Sequence, residues 1–159
     1  MTKKFIAAAA LVLILVPLSA GAQTAANMGF QALSFDVGYA PGWDLNNNDL
    51  VTPALFGFNV WVADGFSAGF QQMVTGGAIH SSFLMLKGNL LPGIRATLGF
   101  GSINGIAGGA SSFGFEVIPF SRSGGMATSE FKIAVKYDSP FADITNGRVY
   151  FALAFGVGF

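Results

Sequence analysis

The sequence predicts an all-β fold: a transmembrane antiparallel up-and-down β-barrel, most simply of eight strands, after a cleaved signal peptide. Three observations predict it. Apolar side chains alternate with small or polar ones through eight segments, the first 22 residues read as an export leader, and the last segment runs strictly alternating to a terminal Phe159.

The leader comes first in the chain. Lys3 and Lys4 form a basic start, Phe5 to Leu18 is apolar and broken by Pro17, and Ala20-Gly21-Ala22 supplies the small residues a signal peptidase reads. A membrane-spanning helix needs about 20 apolar residues, and this stretch is shorter. The expected division is therefore residues 1–22 as signal peptide and 23–159 as the barrel domain, with cleavage before Gln23. Removing the leader takes away Lys3 and Lys4 and leaves six Lys or Arg against eight Asp or Glu, a formal charge of −2. Such a balance excludes a basic nucleic-acid-binding face. The chain has no cysteine, which excludes a disulfide, a thiolate metal site and a lipoprotein anchor.

Hydrophobic residues make up 52% of the chain, yet after the leader none of them gathers into a run long enough for a transmembrane helix. They alternate instead, the pattern of strands with lipid on one face and a crowded interior on the other. The first segment, Leu33 to Tyr39, puts Leu33, Phe35, Val37 and Tyr39 outward and Ser34, Asp36 and Gly38 inward. The second, Ala54 to Ala63, puts Phe56, Phe58, Val60 and Val62 outward, with Gly57, Asn59 and Trp61 inward. After an Asp64-Gly65 turn, Phe66, Ala68 and Phe70 face out against Ser67, Gly69 and Gln71. In the fourth, Ser82 to Leu90, placing Lys87 inside sends Leu84 and Leu86 outward and Phe83 and Met85 inward.

Past Leu91-Pro92-Gly93, Ile94, Ala96, Leu98 and Phe100 face out against Arg95, Thr97, Gly99 and Gly101. The sixth segment has Phe113, Phe115 and Val117 outward, with Gly114 and Glu116 inward. The seventh has Phe131, Ile133, Val135 and Tyr137 outward, with Glu130, Lys132, Ala134 and Lys136 inward. The eighth has Val149, Phe151, Leu153, Phe155, Val157 and Phe159 on one face. Arg148, Tyr150, Ala152, Ala154, Gly156 and Gly158 take the other.

The charges agree with the pattern. Asp36, Lys87, Arg95, Glu116, Glu130, Lys132, Lys136 and Arg148 all fall on the inner face, where none pays the roughly 2–4 kcal/mol of a lysine or arginine at mid-bilayer. Because lipid leaves no backbone group to water, the sheet must close. Long polar connections are expected at Pro41–Asp49, Asn104–Ser111 and Asp138–Asn146. Thr75–Ile79 is short for its side of the barrel, and Ser121–Ala127 is long for the other. Tyr39 and Tyr137 at one end, and Phe66 and Phe159 at the other, are placed as aromatic girdles.

This pattern resembles the small eight-stranded outer-membrane proteins, among them the OmpA transmembrane domain, OmpX and OmpW, over about Ala25 to Phe159. Its most specific piece is Phe151, Leu153, Phe155, Val157 and Phe159, which resembles the strand recognised by the barrel-assembly machinery. Position 154 is Ala where the common form of that signal has Gly. The resemblance implies a cell outer membrane of the Gram-negative type, with membrane lipid, the assembly machinery and periplasmic chaperones as partners.

Several residues invite a function. The eight inner charges, five basic and three acidic, suit either a polar path or a salt-bridged plug, with a network expected around Glu116, Glu130, Lys132 and Arg148. Trp61, Met73, Phe83, Met85 and Tyr150 could line an apolar pocket. His80 beside Ser81 and Ser82 has the spacing of a hydrolase fragment without the acid that orients a triad, so no catalytic residue is assigned. Asp44-Leu45-Asn46-Asn47-Asn48-Asp49 spaces oxygens like a calcium loop but lacks its glycine and final glutamate, and Asx-turn chemistry accounts for it equally. No cofactor or metal is expected. The bulky inward residues favour a narrow, porin-like conduit for small, mainly hydrophobic solutes. The alternative is a non-transporting protein that stabilises the envelope or displays its loops for adhesion.

Overall fold

The computed structural model describes residues 33–63, 65–124 and 127–159. The expected signal peptide, the cleavage position before Gln23 and Asp64 of the Asp64-Gly65 turn lie outside them. Ten strands account for nearly all of the described chain: β1 (Leu33–Tyr39), β2 (Gly42–Asp44), β3 (Asp49–Val51), β4 (Ala54–Ala63), β5 (Phe66–Thr75), β6 (Ala78–Leu91), β7 (Ile94–Ile103), β8 (Ala110–Gly124), β9 (Ala127–Pro140) and β10 (Arg148–Gly158).

Ten strands make eight staves, because two staves are each broken by a proline. β1 and β2 run along the same partner, β10, with Tyr39 opposite Leu153 and Gly42 opposite Tyr150. Pro41 has no N–H to offer the ladder, and the Phe151 amide donates to its carbonyl at 2.8 Å. β3 and β4 are likewise one stave interrupted at Thr52-Pro53, and the Ala40 amide donates to the Pro53 carbonyl at 2.9 Å. All pairings are antiparallel between neighbours, and β1 pairs with β10 to close the sheet. Leu33 and Phe159 complete the seam with reciprocal bonds of 3.2 and 2.8 Å. The end where they meet is called the terminal end below, and the opposite end the loop end.

The register fixes the barrel's dimensions. A line perpendicular to the strands from Val149 passes through Tyr137, Phe113, Leu98, Leu86, Ala68, Val60 and Leu33, and returns to β10 at Phe159, ten residues further on. Eight strands with a shear of ten tilt by about 43°, and the bore is about 16 Å between opposite backbones, narrow enough for side chains to fill.

Each side chain's face follows the alternation. Phe35, Val37, Tyr39, Phe56, Phe58, Leu84, Leu98, Phe100, Phe113, Phe115, Leu153 and Phe155 are all exposed on the outside, while the inner positions are buried or half-buried. Among the apolar outward residues Val117 departs. Val117 keeps its register with Ile94 and Ile133, yet it and Ile118 are buried, next to the irregularity between Val117 and Phe120 that interrupts the alternation.

Four expected connections are shorter than the sequence suggested, because strand pairing extends into them. β5 and β6 continue to Thr75 and Ala78, joined by Gly76 and Gly77 at φ 59° and 82°, the paired left-handed residues of a two-residue hairpin turn. Ser121 to Gly124 stay paired with Ala127 to Glu130, so only residues 125 and 126 connect β8 to β9. The Pro41–Asp49 stretch is largely the β2–β3 hairpin, with four residues at its tip. β9 similarly extends to Pro140, past the expected loop start at Asp138.

In oriented bilayers, polarised infrared dichroism should give a strand tilt of about 43°. A tilt near 37° would mean a shear of eight and a different register.

Candidate functional site

The interior is a column of side chains in three tiers. The tier nearest the terminal end is ionic. Asp36 on β1 accepts from Lys87 on β6 at 3.2 Å and from Lys132 on β9 at 2.6 Å. Lys87 reaches across to Glu116 on β8 at 2.8 Å. Lys132 also meets Glu130 at 3.2 Å, and Glu130 grips Arg95 on β7 through two bonds of 2.9 and 2.8 Å. The result is one alternating chain, Glu116–Lys87–Asp36–Lys132–Glu130–Arg95, drawn from five staves. Asn59 donates to Asp36 at 3.1 Å, Arg95 donates to Asn89 at 3.1 Å, and the guanidinium lies 4.8 Å over the Trp61 ring. Every charge has a counter-charge at contact distance, which an interior of low dielectric demands.

The inward glycines make room for this tier. A Cβ on Gly156 would stand 2.6 Å from Asp36 Oδ1 and 2.9 Å from Lys132 Nζ, so the absent side chain is the space in which the ion pair lies. Gly99 does the same one tier up, where a Cβ would stand 2.6 Å from Met85 Sδ and 3.1 Å from Ser112 Cβ. Small inner residues here admit large neighbours from the facing staves.

The middle tier is mostly apolar. Leu55, Met73, Ala134, Tyr150, Ala152 and Ala154 pack as one cluster with Ala40, and Phe83 and Met85 pack with Ile103 and Ala110 as another. Tyr150 and Met73 are 0% exposed and Phe83 and Met85 1%. The lining of an open water-filled pore would be wetted, and these side chains are not. Lys136 enters this tier, donating to Gln71 at 2.7 Å and lying 5.6 Å from the Phe83 ring centre.

At the loop end a second polar cluster caps the column. Arg148 lies between Asp44 and Asp138 in register and donates from Nε to Asp44 at 2.8 Å. His80 Nε2 is 2.7 Å from the Tyr150 hydroxyl and 3.2 Å from Arg148 Nη1. A guanidinium only donates, so Nε2 accepts, which assigns the neutral ring with its proton on Nδ1. Burial raises the Asp44 pKa, but the Arg148 bond and the backbone amides of Asn47 and Asn46 outweigh it and leave it below the usual value. Those same amide contacts, 3.2 and 3.0 Å to Oδ1, form the Asx turn at the tip of the β2–β3 hairpin.

The eight charges expected inside are all brought into the lumen. Glu116, Glu130 and Lys132 belong to one network, and Arg148 lies outside it. It lies at the other end of β10 with Asp44. Of the five expected apolar lining residues, Met73, Phe83, Met85 and Tyr150 share the middle tier, whereas Trp61 sits apart on Arg95. Asp44 and Asp138 are two further interior acids, in stretches that the sequence predicts as loops, Asp44 within the calcium-like one. With them the lumen holds five acids and five bases. Their signal was present: Asp138 continues the alternation of Lys132, Ala134 and Lys136 by one step. Asp138 is 0% exposed, and among the described residues its nearest cation is Lys136 at 3.7 Å. His80 engages Tyr150 and Arg148, while Ser82 accepts from Gln72 at 3.3 Å on the outer face.

No protein-family model, curated protein or solved structure matches the chain. The architecture itself is that of a small closed eight-stranded barrel.

Replacing Lys87 by Met removes the partner of Glu116 and should cost about 3–5 kcal/mol, read as the urea midpoint of the barrel refolded in lipid vesicles. Gly156→Val should cost about 1–3 kcal/mol by overpacking the same tier, and Gly88→Val, in open space, should cost far less. The Asp44–Arg148 contact stabilises above the ordinary carboxyl value and is lost only as pH falls through the lowered folded one. In a Trp61→Phe background, Trp43 fluorescence should therefore hold down to about pH 4 and change below it, and Asp44→Asn should abolish that transition.

Proposed function

We propose that this chain is an outer-membrane protein of a Gram-negative-type envelope whose lumen is closed at rest, and that it acts through its lipid-embedded wall and its loops. The observation that carries the closed lumen is the ion-pair chain from Glu116 to Arg95, which spans the bore at side-chain contact distances.

The membrane assignment rests on the outer face. A stave of ten residues, the length of β4, β5 and β7, at about 3.3 Å per residue and tilted by about 43° gives a wall about 24 Å tall, close to the apolar band of about 25 Å in such proteins. Polar outward residues mark its loop-end edge. Gln72 pairs with Ser82 and Ser82 with Ser102, while Ser111 meets Ser139 at 3.2 Å. Below that line the wall is almost wholly apolar. Export by the signal peptide, escort by periplasmic chaperones and insertion by the barrel-assembly machinery complete the proposal. For the last step the outward Phe151, Leu153, Phe155, Val157 and Phe159 are the segment offered to it.

A second reading keeps the conduit for small hydrophobic solutes. It is favoured by the middle tier, where Met73, Met85 and Phe83 could yield to an apolar molecule without breaking an ion pair. We propose no catalytic step, since the one histidine is committed to Tyr150 and Arg148.

Single-channel recording of residues 23–159 refolded in a planar bilayer separates these readings. A silent barrel, with insertion verified by its heat-shifted mobility on a mild detergent gel, is the expected result. Discrete openings that vanish in Gly99→Trp would overturn the closed lumen. Vesicle uptake of an apolar fluorophore, blocked by the same substitution, would favour the second reading.

A further inference from the structure

The chain contains two Asn-Gly dipeptides, Asn104-Gly105 and Asn146-Gly147, and both lie in loop-end connections. Asn followed by Gly is the arrangement most open to spontaneous deamidation, since no side chain on the following residue shields its amide nitrogen. That nitrogen attacks the Asn side-chain carbonyl carbon, a C–N bond forms and ammonia leaves. Water then opens the five-membered imide to aspartate or isoaspartate. The step therefore needs a free carboxamide and a following amide able to reach it.

The two sites differ in just these respects. Asn146 donates from Nδ2 to Asp143 Oδ2 at 2.6 Å, and its backbone amide donates to the Asp143 carbonyl at 3.2 Å. The nucleophile is shielded as well, because Gly147 is buried against the Tyr137 ring and hydroxyl. The Gly147 carbonyl accepts from Leu45 at 3.0 Å and holds the residue against the β2–β3 hairpin. Asn104 has none of this. Its exposed side chain makes no hydrogen bond among the described residues, and a Cβ on Gly105 would meet nothing within 4 Å. Only its backbone is fixed, by the amide's 2.9 Å bond to the His80 carbonyl and by the turn bond from Ile106 to Ile103.

We propose that Asn104 is a site of spontaneous deamidation in the folded protein and that Asn146 is protected by Asp143 and Tyr137. The product carries a new carboxylate in the 104–109 loop, and its isoaspartate form adds a methylene to the backbone of that loop. This chemistry is independent of whether the lumen conducts.

The test is peptide mass mapping of the full barrel, folded in detergent and held at mildly alkaline pH, beside an aliquot unfolded in urea. In the folded protein the Asn104 peptide should gain about 1 Da while the Asn146 peptide stays unmodified. In urea both should convert at similar rates. Asp143→Ala, at an exposed position, should raise Asn146 conversion by about tenfold or more, the loss of roughly 1.4 kcal/mol of protection. Equal conversion of the two sites in the folded protein would overturn the proposal, as would an Asn104 peptide that converts in urea but not when folded. An Asn146 rate indifferent to Asp143→Ala would overturn the protective role given to Asp143.

Discussion

Closure of the hydrogen-bond ladder is the constraint on which the rest of this molecule depends. Once Leu33 and Phe159 join with a shear of ten, the bore is set, and it is too narrow to stay empty and too wide for backbone alone to fill. Every inner position must then supply either volume or room for a neighbour's volume. Gly156 and Gly99 supply room, and Lys132 and Met85 supply volume. The interior charges gather on this inner face, where each can meet a counter-charge. The lumen is thus where the chain's polar residues have to be reconciled with one another.

That reconciliation takes different forms along the axis. In the terminal half it is ionic, and removing Lys87 or Glu130 strands the end member that depends on it, Glu116 or Arg95, whose desolvation is then not recovered. In the middle it is dispersion among Met73, Phe83, Met85 and Tyr150, where contacts are individually small and replaceable. At the loop end Arg148 has an aspartate on each flank and bonds one of them, Asp44, which ties the β2–β3 hairpin to β10. Five acids against five bases leave the column with no net charge, so it sets up no strong field to draw ions of either sign.

Much of this was legible in the sequence because alternation is a local signal. The bounds of β1 and β4 follow directly from Leu33–Tyr39 and Ala54–Ala63, and the placement of Phe83 and Met85 follows from putting Lys87 inside. Less legible was anything set by a partner strand. The break at Ala40-Pro41 looks like the start of a loop, and only the bond from Phe151 to the Pro41 carbonyl makes β2 a continuation of β1. Asp44 therefore read as loop chemistry, although its partner Arg148 lies 104 residues away. The extension of β8 to Gly124 depends in the same way on β9, because the bulge after Val117 shifts its alternation out of phase. Which acid meets which base is a property of register around the whole barrel, and eight correct faces do not determine it.

The distribution of tiers also bears on where function can reside. A lumen tied by charge at one end and filled by packing in the middle resists a hydrated path for two separate reasons. Loosening the apolar tier alone would open a pocket that ends on the ion-pair chain, and breaking the chain alone would leave Met73, Phe83 and Tyr150 in the way. Passage of a polar solute needs both to move together, whereas an apolar molecule entering from the loop end needs the Arg148 cap and the apolar tier to yield and leaves the ion-pair chain intact. The geometry thus separates a closed barrel from a through-channel more sharply than it separates a closed barrel from a shallow apolar receptacle. The same asymmetry leaves the wall and the loop-end connections as the surfaces that remain accessible whichever of those two the molecule is.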